Sequence, residues 1–134
     1  MFKRLLVPID GTDYSLRALE YACELVSLSG GSLVIMTVTS GDIHAFAFDG
    51  GIGHIGDEVL DTAYEMLQGK NIDCTYLLER DGDVAEHILL AVREERCDGI
   101  VLGSRGLGVV EGFFRSSVSQ SVVENADVPV TIVK

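Results

Sequence analysis

Tryptophan is missing from this 134-residue chain, and cysteine, proline and basic side chains are scarce. A flavin carrier would want aromatic stacking partners near its loops, so the lack of Trp argues against one. The three cysteines, Cys23, Cys74 and Cys97, are odd in number, far apart and outside any CxxC spacing. They argue against a disulfide frame or a zinc site and read as the reduced thiols of a cytosolic protein. Cys23 falls on the apolar face of a predicted helix and Cys74 in a strand pattern, which is the placement of small buried hydrophobes.

Lys and Arg total 10 against 21 Asp and Glu, a net charge of -11. Nucleic-acid binding depends on basic side chains neutralising phosphates, so no nucleic-acid partner is expected. An anionic membrane is disfavoured for the same reason. No apolar run approaches the roughly 18 residues that span a bilayer. The opening MFKRLLVPID breaks its short apolar run at Pro8 and Asp10, the pattern of a first strand rather than a secretory signal. A cytoplasmic location is expected. A small phosphorylated ligand stays open, because backbone amides at a helix start can hold one without Lys or Arg.

The composition, 47% hydrophobic and 23% charged, is that of a globular chain, and its length suits a single domain over 1–134. Near-continuous apolar runs at Leu5–Ile9 and Ser32–Val38 predict strands buried on both faces. Cys74–Glu79, Gly99–Gly103 and Val128–Val133 supply three more, and Pro129 marks the last as an edge strand or a strand start. Between them lie four helical stripes: Leu16, Leu19, Cys23 and Val26; Val59, Ala63 and Met66; Val84, Ile88, Ala91 and Val92; Val118, Val122 and Ala126. Thr12 or Asp13 can cap the first helix, Asp83 with Glu86 resembles a capping box, and Gly30 and Gly69 sit where helices should stop. The predicted order βαβαβαβαβ gives an α/β fold, a parallel sheet with helices on both faces.

The chemistry concentrates at Gly103–Val118, GSRGLGVVEGFFRSSV. The glycine pair Gly103 and Gly108 mimics a P-loop, but Val109 and Val110 stand where Lys and Ser or Thr are required. A dinucleotide fingerprint starting at Gly106 meets Glu111 in place of its third glycine and follows the fourth strand rather than the first. A receiver domain would need an acidic cluster and a lysine after a late strand, whereas Lys134 is merely terminal. Asp42, His44, Asp49, His54 and Asp57 are metal-ligating residue types without metal-ligand spacing, on a Gly-rich loop at roughly 39–56, and a solvated loop explains them better. No Ser-His-Asp or Cys-His arrangement is evident, so no enzyme is expected; slow hydrolysis of a bound nucleotide would need Mg²⁺ near Asp10.

Four segments together resemble the universal stress protein family: LLVPIDGTDYS, GDVAEHIL, DGIVLGSRGLG and SVSQSVVENADVPVTIV. The resemblance covers nearly the whole chain and implies a Rossmann-like five-stranded parallel sheet ordered 3-2-1-4-5, with dimerisation through the final strand, Val128–Val133. It also implies ATP or AMP binding, with or without Mg²⁺, through GxxG, nine residues, then Gly-[Ser/Thr]. Gly103, Gly106 and Ser117 match that motif, while Ser116 replaces its third glycine. By the same likeness Asp10 would meet the adenosine end and the main chain at Val38 would edge the adenine, with Pro8 and Val118 completing the set. Arg105 is placed to pair with phosphate. Asp10 reads equally as the initiator of the turn into the first helix, and the glycines as a tight strand exit. The expected function is a stress-response sensor or regulatory module. A homodimer of the same family that binds no nucleotide is the alternative, because Ser116 departs from the motif.

Overall fold

A computed structural model describes residues 2–39, 57–104 and 116–134, and of Ser116 the backbone alone. In chain order the elements are β1 (Arg4–Pro8), α1 (Asp13–Ser29), β2 (Ser32–Thr39), α2 (Glu58–Met66), β3 (Asp73–Arg80), α3 (Val84–Glu94), β4 (Gly99–Gly103), α4 (Ser116–Asn125) and β5 (Val130–Val133). The five strands form one sheet in the order β3-β2-β1-β4-β5, every neighbouring pair parallel. The expected α/β architecture and strand order are therefore what the chain adopts.

Successive strand residues point to opposite faces, so each apolar run is divided between two cores. Leu5, Val7, Ile9, Leu33, Ile35 and Val101 meet α1 and α2 on one side. Leu6, Val34, Met36, Ile100 and Leu102 meet α3 and α4 on the other. Only a sheet covered on both faces can bury both sets, which is why the runs do not alternate with polar residues.

The helix stripes are near those expected, with shifts that follow from helix geometry. Leu16 is half-buried, whereas Ala18 and Ala22 lie fully inside beside Leu19, Cys23 and Val26. In α2 the deepest positions are Leu60, Ala63 and Leu67, and Met66 sits at the margin. The Thr12 side chain accepts from Ser15 N and caps α1, and Asp83 likewise accepts from Glu86 N at α3. Gly30 caps α1 at φ 76°, while α2 is capped by Leu67 and Gly69 lies two residues further on. Asp57 turns out to be the cap of α2, its Oδ1 accepting from Val59 N and Leu60 N. That employment corrects its place among metal-ligating candidates.

At the amino edge of the sheet Arg4 ties four elements together. Its Nε donates to Glu95 O, its guanidinium pairs with Glu95 Oε1 at 2.9 Å, and further N–H groups reach Ser32 Oγ and Thr75 Oγ1. At the carboxyl edge the decisive residue is Gly103. A β-carbon there would sit 2.7 Å from the carbonyl carbon and oxygen of Tyr14 and 2.9 Å from Ser15 N. Gly103 is not among the positive-φ glycines, so it is required for space rather than for a special backbone conformation.

Gly103→Ala should therefore lower stability by about 1–3 kcal/mol, because backbone must move to admit the methyl group. At Gly30 an added β-carbon meets nothing within 4 Å, and Gly30→Ala should cost only the left-handed strain of about 1 kcal/mol. Urea unfolding of the two variants measures this, and a Gly103→Ala protein as stable as the parent would contradict the packing described.

Candidate functional site at the carboxyl ends of β1 and β4

Strand order reverses between β1 and β4, and parallel sheets of this kind open a crevice beyond the carboxyl ends of such strands. The observed β1–β4 register, Leu5 with Gly99 and Leu6 with Ile100, continues to set Gly103 level with Ile9. The β1–β2 register, Pro8 with Met36, continues to set Asp10 level with Val38. Ile9 N donates to Met36 O at 2.8 Å, which carries the pairing past the end of β1. Asp10, Val38 and Gly103 thus stand at one edge of the sheet.

Around Asp10 the chain closes a ring of hydrogen bonds. Thr12 N and Thr12 Oγ1 both donate to Asp10 Oδ1, at 3.0 and 2.6 Å. Ser15 N donates to Thr12 Oγ1, Ser15 Oγ donates to Thr12 O at 2.9 Å, and Asp10 N donates to Ser15 Oγ. Thr12 and Ser15 are buried, at 7% and 0% exposure. Asp10 Oδ2 is buried as well, yet it has no hydrogen-bond partner among the described residues. Leaving a buried polar group unpaired costs about 1–3 kcal/mol, and more when it is charged. Oδ2 therefore keeps its capacity to accept a hydrogen bond.

The universal stress protein family model matches residues 1–134. The chain belongs to the universal stress protein family. A universal stress protein of Thermus aquaticus is 31% identical over the full length of both chains. Among solved structures, a universal stress protein from Archaeoglobus fulgidus in complex with dAMP is 25% identical, with a TM-score of 0.70 and 98% of each chain covered. A family protein from Arabidopsis thaliana with AMP bound shares the fold at 21% identity, with a TM-score of 0.69 over 98% of this chain and 91% of that one.

In this universal stress protein the residues expected at the site fall into three groups. Pro8 closes β1, Asp10 follows it, Val38 lies one residue from the end of β2, and Gly103 closes β4. The Val38 side chain leans on the α3–α4 core. A second group starts α4: Ser116 is its first residue and Ser117, exposed, its second. Ser117 therefore belongs to the first turn of the helix, and Val118 packs its side chain into the α3–α4 core. Arg105 and Gly106 lie outside the described residues, as do Asp42, His44, Asp49 and His54. Among the described residues no group of three His, Cys, Asp or Glu could hold a metal ion.

Two features were not legible as site features from spacing. Thr12 reads as a helix cap, and its second duty, fixing Asp10 Oδ1, shows only in three dimensions. Ser119 Oγ in the first turn of α4 is buried without a partner among the described residues, and nothing in the SVSQS run separates it from its neighbouring serines.

The cysteines serve packing. Burial pushes the Cys23 thiol up to about 11, and burial does the same at Cys97 although Arg4 pulls the other way. Both stay protonated through neutral pH, and two units above the ordinary value means about a hundredfold less thiolate in the alkaline range. Iodoacetamide at pH 8.5 should therefore modify these two thiols on the order of a hundredfold more slowly in the folded chain than in urea. Equal rates would contradict that burial.

Proposed function

We propose that this chain binds an adenine nucleotide, ATP or AMP, in the crevice between β1 and β4 and acts as a stress-response sensor or regulatory module. The observation that carries this reading is the buried, unpartnered Oδ2 of Asp10 at the strand-order reversal. A nucleoside brings hydroxyl and amine donors that suit such an acceptor. Gly103 lets the Asp10 turn rest directly on the strand, and the start of the ten-residue α4 offers amides for phosphate. The dAMP held by the relative from Archaeoglobus fulgidus supports the same ligand class.

The reading is of a binder rather than an enzyme. The hydroxyls closest to Asp10, on Thr12 and Ser15, both donate inward, to Asp10 Oδ1 and Thr12 O. Neither is poised as a nucleophile. Mg²⁺, where it accompanies ATP, would come with the phosphates, since it keeps most of its waters and needs few protein ligands.

A second reading, a homodimer that binds no nucleotide, is favoured by Ser116 in place of the motif glycine and by β5. That strand is a four-residue sheet edge, and Ile132 on it is 41% exposed. Pairing of two such edges would cover both.

Calorimetric titration with Mg·ATP and AMP distinguishes the readings. The parent chain should bind, and Asp10→Ala should bind about tenfold more weakly or worse, as expected for losing a hydrogen bond to a charged group. Binding by Ser116→Gly alone would move the account to the second reading. Dimerisation has its own test. Val130 packs into the α3–α4 core, so Ile132→Glu is the cleaner substitution. It should shift the protein to monomer on a sizing column, and an unchanged elution position would count against the β5 interface.

A further inference from the structure

We infer that Thr12 is a positioning residue that makes this site selective for nucleotides carrying a free ribose hydroxyl. The inference rests on the nucleotide-binding reading above and goes on to say which part of the ligand Asp10 senses.

A carboxylate has two equivalent oxygens and turns easily about its last torsion, so alone it selects no particular donor. Here the equivalence is broken. Oδ1 receives two donors from Thr12, one from the main chain and one from the hydroxyl. The hydroxyl cannot turn away, because Ser15 N occupies its acceptor side and leaves its single proton directed at Asp10. Ser15 is held in turn by its donation to Thr12 O and by the N–H it receives from Asp10. Gly103 presses on the same turn, its α-carbon backed by Tyr14 and Ser15 main chain. The carboxylate is thereby fixed in one orientation, with Oδ2 buried and unpaired.

A fixed, desolvated acceptor discriminates by what it lacks. A ligand with a hydroxyl at that point pairs the oxygen, whereas a deoxy analogue leaves it buried and unpaired. Sites built to hydrogen-bond a hydroxyl reject analogues lacking it far more strongly than apolar pockets reject a missing methylene. A carboxylate accepts only, so it needs a donor; of an adenine nucleotide's donors, the ribose hydroxyls are those that the deoxy analogues remove.

The test is calorimetric binding of AMP, 2′-deoxy-AMP, 3′-deoxy-AMP and 2′,3′-dideoxy-AMP to the parent chain and to Thr12→Ser, Thr12→Val and Asp10→Asn. The parent chain should bind AMP about tenfold or more tightly than the dideoxy analogue. The monodeoxy compounds show which hydroxyl is responsible. Thr12→Ser should keep the ratio, since it retains the hydroxyl, the main-chain donor and the cap. Thr12→Val should bring the ratio towards one. Loss of the helix cap alone would weaken both nucleotides equally and leave the ratio unchanged, so the ratio reports positioning and not stability. Asp10→Asn keeps the shape should Thr12→Val fold poorly. Thr12's two donors would hold the amide oxygen and turn its NH₂ outward; a hydroxyl could then only accept, in a neutral hydrogen bond, and the preference should shrink.

Equal binding of AMP and the dideoxy analogue by the parent chain would overturn the inference while leaving nucleotide binding intact. A ratio that survives in Thr12→Val would overturn the role given to Thr12. A parent chain that binds none of the four nucleotides would remove the nucleotide reading itself, and the inference with it.

Discussion

No side chain fits between the end of β4 and the first turn of α1, and the carboxyl edge of this molecule is organised around that fact. With hydrogen in place of a β-carbon, Gly103 lets the Tyr14–Ser15 main chain rest directly on the strand. The contact fixes the height of α1 on the sheet. Because Ser15 belongs to the ring that holds Asp10, it also fixes the carboxylate. Packing and site are one construction here. A larger residue at 103 would disturb both through the same atoms.

The opposite edge is organised by polar groups. Arg4 reaches β2 through Ser32, β3 through Thr75 and the end of α3 through Glu95. Its side chain is about a quarter exposed, so its worth lies in joining several elements with hydrogen bonds and not in the single ion pair. One edge is thus closed by a cation that satisfies several acceptors, and the other holds a buried carboxylate oxygen without a partner among the described residues.

Much of the fold was readable in the amino-acid order. Runs such as LLVPI and SLVIMTV have too little polarity to be one-faced strands, and that implied a sheet covered by helices on both sides. Pro129 foretold the edge position of β5, which starts one residue later. The order 3-2-1-4-5 came from family likeness, since βα alternation alone is compatible with several windings. Individual burial was read less well. Leu60 and Leu67 escaped the Val59–Ala63–Met66 stripe because a helix face is broader than one row of residues. Arg4 looked like part of a basic amino terminus, because hydrogen bonds to residues some 30 to 90 positions away leave no local trace. The site was half legible for the same reason. Asp10 and Gly103 stood out by type and motif, but the locking of Oδ1 by Thr12, which leaves Oδ2 buried and without a partner among the described residues, depends on two atoms that spacing cannot orient.

The most direct measurement is a map of backbone amide shifts in ¹⁵N-labelled protein as AMP is added. If the crevice between β1 and β4 is the site, the largest shifts fall at Asp10–Ser15, Val38, Gly103–Ser104 and Ser117–Ser119. The chain also has a cavity of ≈ 850 Å³ at the other edge of the sheet, lined by Glu20, Cys23, Glu24, Met66, Lys70 and Ile72 among others. Shifts concentrated there, with the amides around Asp10 and Gly103 unmoved, would contradict the account.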